Sequence, residues 1–488
     1  MSVDDMTQQQ ETIFNYIDGA LVAPVSGKYF DNIEPATGQV YGQIPDSDVE
    51  DLANAVTAAK KAWPAWRDTS TEDRAAYLNK LADLLEERID DFIRAESIDN
   101  GKPVSLSRAI DIPRGIANLR AFADAALEFS GDRFEKDNSK TYTLRQPIGI
   151  VATISPWNLP LLLFTWKFAP ALAAGNCVIA KPSEVTPMTA YMLSTLVNDA
   201  GFPPGVFHVI HGHGAKIGAA ITEHPDITAI SFTGGTETGI TIYTGAAKHL
   251  KKVSLELGGK NPVIVFDDAD FDAAVDGAAT AAFANQGQVC LCGSRLFVQE
   301  TIFEKFRDAL VAKAKTIKIG DPLDEDTEHG ANVSEAHLQK ILSYIDLAQK
   351  EGGKILCGGK RHQLDGRCAD GYFVEPTIIE NLPHICRTNQ EEIFGPVVSI
   401  IPFKDEDDAI EMANATQYGL AASIWSKDED KLSRMAEKIE SGIVWKNCWN
   451  LRDLDAPFGG VKKSGIGREG KWRAMEFFTQ EKTVTQPK

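Results

Sequence analysis

Apolar positions in the first third of the chain recur at helical spacing. Ser47-Asp48-Val49-Glu50 fits a capping box ahead of Leu52, Ala55, Val56 and Ala59, and Ser70-Thr71-Glu72-Asp73 opens a longer amphipathic run through Leu78, Leu81, Leu85, Ile89 and Phe92. At Gly149 the texture changes. Short β-branched runs at 150–154, 178–181, 206–210 and 227–232 alternate with helical segments after Pro160 and from Pro187, Ala215 and Thr236. Strands separated by single helices predict βαβ units on a parallel sheet with right-handed crossovers. A second series starts near Asn261, with strands at 263–266, 296–298 and 397–403 and helices over 273–285, 303–317, 407–413 and 432–439. Two series of about 200 residues each predict an α/β protein of two Rossmann-like open-sheet domains with a cleft between them. Ligands of such sheets sit beyond the carboxyl ends of strands. Segments 141–145 (TYTLR) and 482–486 (KTVTQ) alternate like lone strands, and their unpaired edges suit pairing with another subunit, which predicts a small β oligomerisation arm. No internal repeat, low-complexity tract or Ser/Gly linker interrupts the chain.

Composition narrows the function. In 488 residues, 50 Lys plus Arg stand against 69 Asp plus Glu, a formal charge of −19. That balance argues against nucleic acid or an anionic membrane as partner, since both require a basic footprint. It also repels small anions at long range, by an amount that salt screens. The 43% hydrophobic and 24% charged content is that of an ordinary globular protein. Residues 1–13, MSVDDMTQQQETI, carry neither a basic nor an apolar region of a secretory signal, and no apolar stretch is long enough to span a bilayer. Seven cysteines, at 177, 290, 292, 357, 368, 386 and 448, form no C-x-x-C pair or zinc-ligand spacing. No metal is expected, and a reducing cytoplasm is the expected compartment.

Five places carry candidate chemistry. Cys290, in Asn285-Gln286-Gly287-Gln288-Val289-Cys290-Leu291-Cys292, follows an apolar helix on a polar, Gly-containing loop, where a thiol is accessible. Taken alone it reads equally as nucleophile or bland loop thiol, whereas Cys177 and Cys357 sit in apolar strands and read as core. Glu256, in Leu255-Glu256-Leu257-Gly258-Gly259-Lys260, is a carboxylate between leucines, which suits a general base with a raised pKa; alone, a solvated strand end is the simpler reading. In Pro156-Trp157-Asn158-Leu159-Pro160 two prolines fix one amide, as an oxyanion donor or as common turn chemistry. Lys181 and Glu184 of Ala180-Lys181-Pro182-Ser183-Glu184 place a cation and an anion at a strand end. Phe232-Thr233-Gly234-Gly235-Thr236-Glu237-Thr238-Gly239 lets backbone N–H groups approach a phosphate, although it is not the G-x-G-x-x-G fingerprint.

In that combination and order, PWNLP, KPSE, FTGGTETG, LELGGK, the cysteine of NQGQVC and EEIFGP resemble the NAD(P)-dependent aldehyde dehydrogenase superfamily over nearly the whole chain. The resemblance implies Cys290 as nucleophile, with the oxyanion held by the Asn158 amide and the Cys290 N–H, and Glu256 as the base for thioester hydrolysis. It implies Lys181 and Glu184 at the adenosine ribose, where a carboxylate repels a 2′-phosphate and favours NAD over NADP. Gly214, Gly234, Gly235, Thr236 and Gly239 would line the pyrophosphate, Glu392 and Phe394 the nicotinamide ribose, with Trp157 among the cofactor-binding residues. Gly235 departs from the many relatives that carry Ser there. The implied domains are an NAD-binding domain over 1–130 and 148–256, a catalytic domain over 257–445, and an oligomerisation arm over 131–147 and 475–488, in a homodimer or homotetramer.

The substrate can be read further. Residues 441–453 (SGIVWKNCWNLRD), the following APFGGVKKSGIGREG, and Asp111-Ile112-Pro113-Arg114 resemble the branch that oxidises 2-aminomuconate and 2-hydroxymuconate semialdehydes. By that resemblance Arg114 and Arg452 face the substrate tunnel, where two guanidiniums suit an aldehyde with a carboxylate at its far end. The alternative for each is a structural salt bridge, with Asp111 or Asp453 as partner; Arg108 is a weaker candidate. Betaine, retinal or aliphatic aldehydes remain the competing substrates. A fold retained without activity is disfavoured, since Cys290, Glu256 and Asn158 are all present.

Overall fold

Ile150–Ile154 and Cys177–Lys181 are buried at every position. Covered on both faces, such strands read as continuous apolar runs rather than alternation, which is why they were legible. The computed structural model describes residues 11–488. The reading of residues 1–13 as lacking a leader falls, up to residue 10, outside them. Five parallel strands lie in the order Lys252–Glu256, Ile227–Thr233, Ile150–Ile154, Cys177–Lys181, Phe207–Val209. From Ile150–Ile154 the chain builds outward on one side and then returns to build the other. The crevice therefore opens beyond Ile150–Ile154 and Ile227–Thr233. Ile154 pairs with Lys181 and with Phe232, and Thr233 with Glu256, so four candidate segments leave one sheet edge together.

The second sheet runs Lys354–Cys357, Thr377–Glu380, Val397–Phe403, Gly293–Gln299, Asn261–Val265, Ala421–Trp425, Ile443–Lys446, parallel except for the first strand. Glu256 leads through Leu257-Gly258-Gly259-Lys260 into Asn261, whose sheet partner is Gly293, three residues after Cys290. The carboxyl edge of the first sheet thus meets the amino edge of the second. Cys290 precedes a strand of the second sheet instead of ending one, as do Glu392 and Phe394 ahead of Val397–Phe403. These are the two Rossmann-like open-sheet units expected from the sequence.

Several expectations need correction. The first third is not wholly helical: Asn15–Ile17 and Ala20–Val22 extend the first sheet, while Glu11–Thr12, Tyr29–Glu34 and Gln39–Pro45 form a small sheet of their own. The first capping box sits one residue later, because Ser47 is buried against Asn15; Asp48 accepts from the Glu50 N–H at 3.0 Å and Asp51 accepts from the Asp48 N–H at 3.0 Å. Ser70 caps Thr71–Glu87 as expected. The two alternating segments are not lone strands. Ser139–Pro147 pairs antiparallel with Thr479–Pro487 along its whole length, and Arg133–Glu135 adds a third strand. Past Lys446 the chain returns to the first sheet, where Gly465–Ile466 pairs with Lys252–Glu256. Among the described residues no helix is long and apolar enough to cross a membrane and no cluster of three His, Cys, Asp or Glu could hold a metal.

Candidate active site

The cysteine loop is set by backbone that few residues adopt. After helix Phe271–Phe283, Asn285 and Gln286 take φ of 50° and 56° and Gly287 follows at 70°. Left-handed conformations at non-glycine residues cost free energy and persist where the surroundings impose them. Here the Asn285 amide donates to the Asn158 carbonyl at 3.0 Å and to the Gln288 carbonyl at 3.2 Å. Gln288 Oε1 accepts from the Val333 N–H at 3.1 Å, and a Cβ on Gly287 would strike the Gly395 backbone. Beyond the turn, Asn261 Nδ2 donates to the Cys290 and Cys292 carbonyls at 2.7 and 2.9 Å, and its Oδ1 accepts from Ala421 N–H at 3.0 Å. Cys290 is thereby fixed from both sides and half-buried; Cys292 is buried, its thiol toward the Ala284 carbonyl. All seven cysteines are free.

Asn158 emerges from the end of Ile150–Ile154, ahead of helix Pro160–Ala173. Its Nδ2 donates to the Gln288 carbonyl at 2.9 Å, two residues before Cys290, and its second N–H remains unspent. The Cys290 N–H has no acceptor among the described residues. Two preorganised donors therefore flank the thiol.

Glu256 is buried, and neither carboxylate oxygen has a partner among the described residues. Burial, then the neighbouring Glu469, raises its pKa well above the usual carboxylate range, while Lys167, Arg468 and Arg452 pull it back. Glu469 accepts from Trp166 Nε1 at 2.7 Å and Lys167 Nζ at 2.8 Å. The Cys290 thiol is also raised, by burial first and then by the charges of Glu392, Glu256 and Cys292. A thiol held this high needs a base to take its proton, and the buried Glu256 carboxyl lines the same cavity.

Two cavities meet at Glu256. The larger, 470 Å³, is lined by Cys290, Arg114, Arg452, Trp166, Trp449 and Phe458. The smaller, 210 Å³, is lined by Trp157, Asn158, Gly234, Gly235, Glu392 and Phe394. Thr233, Glu256 and Leu257 belong to both walls. Thr236 and Gly239 lie on helix Thr236–Ala247, which begins at the smaller cavity with no side chain capping its N-terminus. A side chain at Gly235 would meet only open space, so this departure from the familiar Ser is not forced by packing. Glu392 accepts from the Gly259 N–H at 2.9 Å, and Phe394, at φ 63°, stands edge-on to Trp157 with ring centroids 5.2 Å apart. At the neighbouring strand ends Lys181 donates to Glu184 at 3.0 Å, whose other oxygen accepts from the Gly214 N–H at 2.9 Å. Burial would raise the Glu184 carboxyl, but Lys181 and that N–H outweigh it and hold it low.

Both candidate arginines reach the larger cavity. The Arg452 guanidinium lies 3.9 Å from the Phe458 ring centroid and 5.8 Å from that of Trp166. Neither it nor Arg114 has an ion-pair partner among the described residues. Asp111 pairs instead with Lys102, so the structural salt bridges weighed for Arg114 and Arg452 do not form. Arg108 turns away to Asp90 and Glu325. Sequence reasoning missed Lys167, Glu469, Lys102, His337 and Lys340. A lysine inside the apolar helix PLLLFTWKFAPALA was a usable signal for Lys167; Glu469 gave none. His337 bonds the Phe394 carbonyl at 2.7 Å, and it lines the smaller cavity with Lys340.

Two open α/β sheets, with a cleft-facing thiol at their junction and nucleotide-type strand ends beside it, define an oxidoreductase. The model of the aldehyde dehydrogenase family matches residues 22–484, and the chain belongs to that family of aldehyde-oxidising enzymes. It is 47% identical over 475 residues to 2-aminomuconic semialdehyde dehydrogenase of Danio rerio, covering 96% of this chain and 97% of that one. To 2-hydroxymuconic semialdehyde dehydrogenase of Pseudomonas sp. (strain CF600) it is 45% identical, covering 97% and 99%. The crystal structure of betaine aldehyde dehydrogenase from Staphylococcus aureus in complex with NAD+ superposes with a TM-score of 0.94 at 39% identity, covering 99% of this chain and 95% of that one.

Proposed function

We propose that the protein uses NAD to oxidise an unsaturated semialdehyde bearing a carboxylate, 2-aminomuconate or 2-hydroxymuconate 6-semialdehyde from aromatic-compound degradation. The observation that carries this reading is the pair Arg114 and Arg452, which line the Cys290 cavity and make no ion pair among the described residues. A substrate carboxylate supplies what both lack. The relatives matched bear both muconate names, in keeping with this chemistry. A betaine-type substrate is disfavoured, because two guanidiniums repel a quaternary cation whatever the aromatic walls offer.

The residues fit the cofactor. An uncapped helix N-terminus and the buried, unpartnered hydroxyls of Thr233 and Thr236 suit a pyrophosphate and its flanking groups. Glu184, held ready by Lys181 and Gly214, suits a ribose diol and repels a 2′-phosphate. Trp157, Glu392 and Phe394, with His337 and Lys340, wall the nicotinamide end, while Gly214, Gly234, Gly235, Thr236 and Gly239 follow the diphosphate. NAD, when bound, accepts the hydride released from the substrate carbon.

In the first step Glu256 takes the Cys290 proton as sulfur bonds the aldehyde carbon, and the carbonyl oxygen becomes an alkoxide between Asn158 and the Cys290 N–H. Loss of hydride restores that carbonyl as a thioester. Glu256, which passes its first proton to solvent, then draws a proton from water; the hydroxide adds to the thioester and the Cys290 thiolate leaves. Residues 11–130 and 148–256 act as the NAD-binding domain, joined by 446–474, and 257–445 as the catalytic domain. The arm of 131–147 and 475–488, with Phe134 and Leu144 exposed, joins subunits in a homodimer or homotetramer. Seven free thiols suit a reducing cytoplasm.

Supplying NAD and 2-hydroxymuconate semialdehyde while following NADH absorbance tests the substrate. Turnover should exceed that of betaine aldehyde or propanal at equal concentration; faster oxidation of either neutral or cationic aldehyde overturns the reading.

A further inference from the structure

The carbonyls of Trp157 and Asn158 are held by a turn from a distant part of the chain. Helix Ile89–Asn100 ends at Gly101, whose φ of 86° turns the chain sharply. Across this turn Asn100 Nδ2 donates to the Trp157 carbonyl at 2.8 Å and Lys102 Nζ to the Asn158 carbonyl at 3.0 Å. The Asn285 amide of the cysteine loop reaches the same Asn158 oxygen. The turn is itself braced, since Ala331 N–H donates to the Gly101 carbonyl at 2.8 Å and Val333 nearby holds Gln288. Asn100 and Lys102 are completely buried, as are the Glu96 and Asp111 carboxyls around Lys102.

A carbonyl needs no cation to be satisfied, and burying one is expensive even when paired. Burial raises both the Glu96 and Asp111 carboxyls, and the Lys102 charge pulls them back. Such a group is costly as mere packing. Its position directly behind the amide beside Cys290 gives it a use.

We propose that Lys102 is a positioning residue for the reaction: seated on the Asn158 carbonyl, it holds the Asn158 amide in register with Cys290, and Asn100 does the same one residue earlier at Trp157. This rests on the reading of Asn158 as an oxyanion donor. An oxyanion donor acts through placement, and a displacement of about 1 Å is enough to cost roughly a hundredfold in rate.

The test compares reactions that need the oxyanion donor with one that does not. In Lys102→Met, aldehyde oxidation and the cofactor-independent hydrolysis of p-nitrophenyl acetate should fall together by roughly 10- to 100-fold. Alkylation of Cys290 by iodoacetamide, a displacement that builds no oxyanion, and the NAD dissociation constant from tryptophan fluorescence should stay within about twofold. Asn100→Ser should show the same pattern more weakly, and it carries the test if Lys102→Met does not fold. Adding Lys102→Met to Asn158→Ala should cause no further loss. Unchanged ester hydrolysis in both clamp variants, or alkylation falling in proportion, overturns the proposal. Intact ester hydrolysis in Asn158→Ala instead overturns the oxyanion reading beneath it.

Discussion

Replacing Arg452 with Met tests the substrate assignment and has a calculable size. Met keeps the length that packs on Phe458 and Trp166 while removing the charge. Burial, then the like charge of Arg114, pulls Arg452 down from 12.5 to about 10, with Glu469 and Glu256 offsetting part of the effect. At 1.36 kcal/mol per pH unit, that difference corresponds to an order of 3 kcal/mol for holding the guanidinium charged in the empty cleft. A carboxylate between the two arginines reverses the sign, since a hydrogen bond to a charged partner contributes about 1.5–3 kcal/mol. Arg452→Met should therefore raise KM for a carboxylated semialdehyde by roughly 10- to 150-fold, at 1.4 kcal/mol per tenfold. KM for propanal, which has no carboxylate, should change less than about threefold.

Initial-rate measurements by NADH absorbance on both substrates give the comparison directly. The same argument predicts a second effect. With no anion bound, the variant escapes the Arg114 repulsion and should melt about 1–3 °C higher than the parent. Equal KM changes for the two aldehydes would mean that Arg452 shapes the cavity without reading charge, and a lower melting temperature would show that its stacking outweighs the repulsion.

Other variants separate the remaining roles. Cys290→Ser should abolish NADH production, while Cys292→Ser, which alters a thiol facing Ala284, should keep most of it; mass spectrometry after iodoacetamide locates the reactive thiol. Because burial raises the Glu256 carboxyl, and in the proposed mechanism Glu256 must be deprotonated to take the Cys290 proton, turnover should climb as pH rises through the raised Glu256 pKa, and a falling profile contradicts the assignment. Glu184→Ser should narrow the preference for NAD over NADP by about tenfold, measured as the ratio of kcat/KM values, since it removes the carboxylate that repels a 2′-phosphate.

The legible parts of the fold were those whose cause is local. Val397–Phe403 has the bounds its largely apolar run predicts, because all of it but Pro402 is buried and only Ser399 among the buried positions is polar. Asn15–Ile17 and Gln39–Pro45 escaped notice because they are short or polar and become strands only through their partners. The alternation in 141–145 and 482–486 was real, but the chain carries no local mark that segments some 340 residues apart pair with each other. The site shows the same division. Cys290, Asn158, Glu256 and the glycines stand in motifs whose spacing is visible. Lys167, Glu469, Lys102 and Asn100 act across 56 to 303 residues of sequence through a few side-chain hydrogen bonds each, and only the isolated lysine in an apolar helix hinted at any of them.

A net charge of −19 opposes every anion the protein is proposed to bind, yet the site resolves the conflict by distance. Surface repulsion is screened within about 8 Å at physiological salt, whereas a charge inside a cleft acts through a far poorer dielectric. Arg114 and Arg452 line the larger cavity, so a carboxylate bound there would meet them at short range. The acidic groups that do reach the cleft are managed individually. Glu469 is tied to Lys167 and Trp166, Glu392 to the Gly259 N–H, and Glu184 to Lys181 and Gly214. Among the described residues Glu256 is left with no partner on either oxygen, and in the proposed mechanism it is the carboxylate that gains and loses the proton. The distribution of partners, more than the sum of charges, separates the group that reacts from the groups that hold it in place.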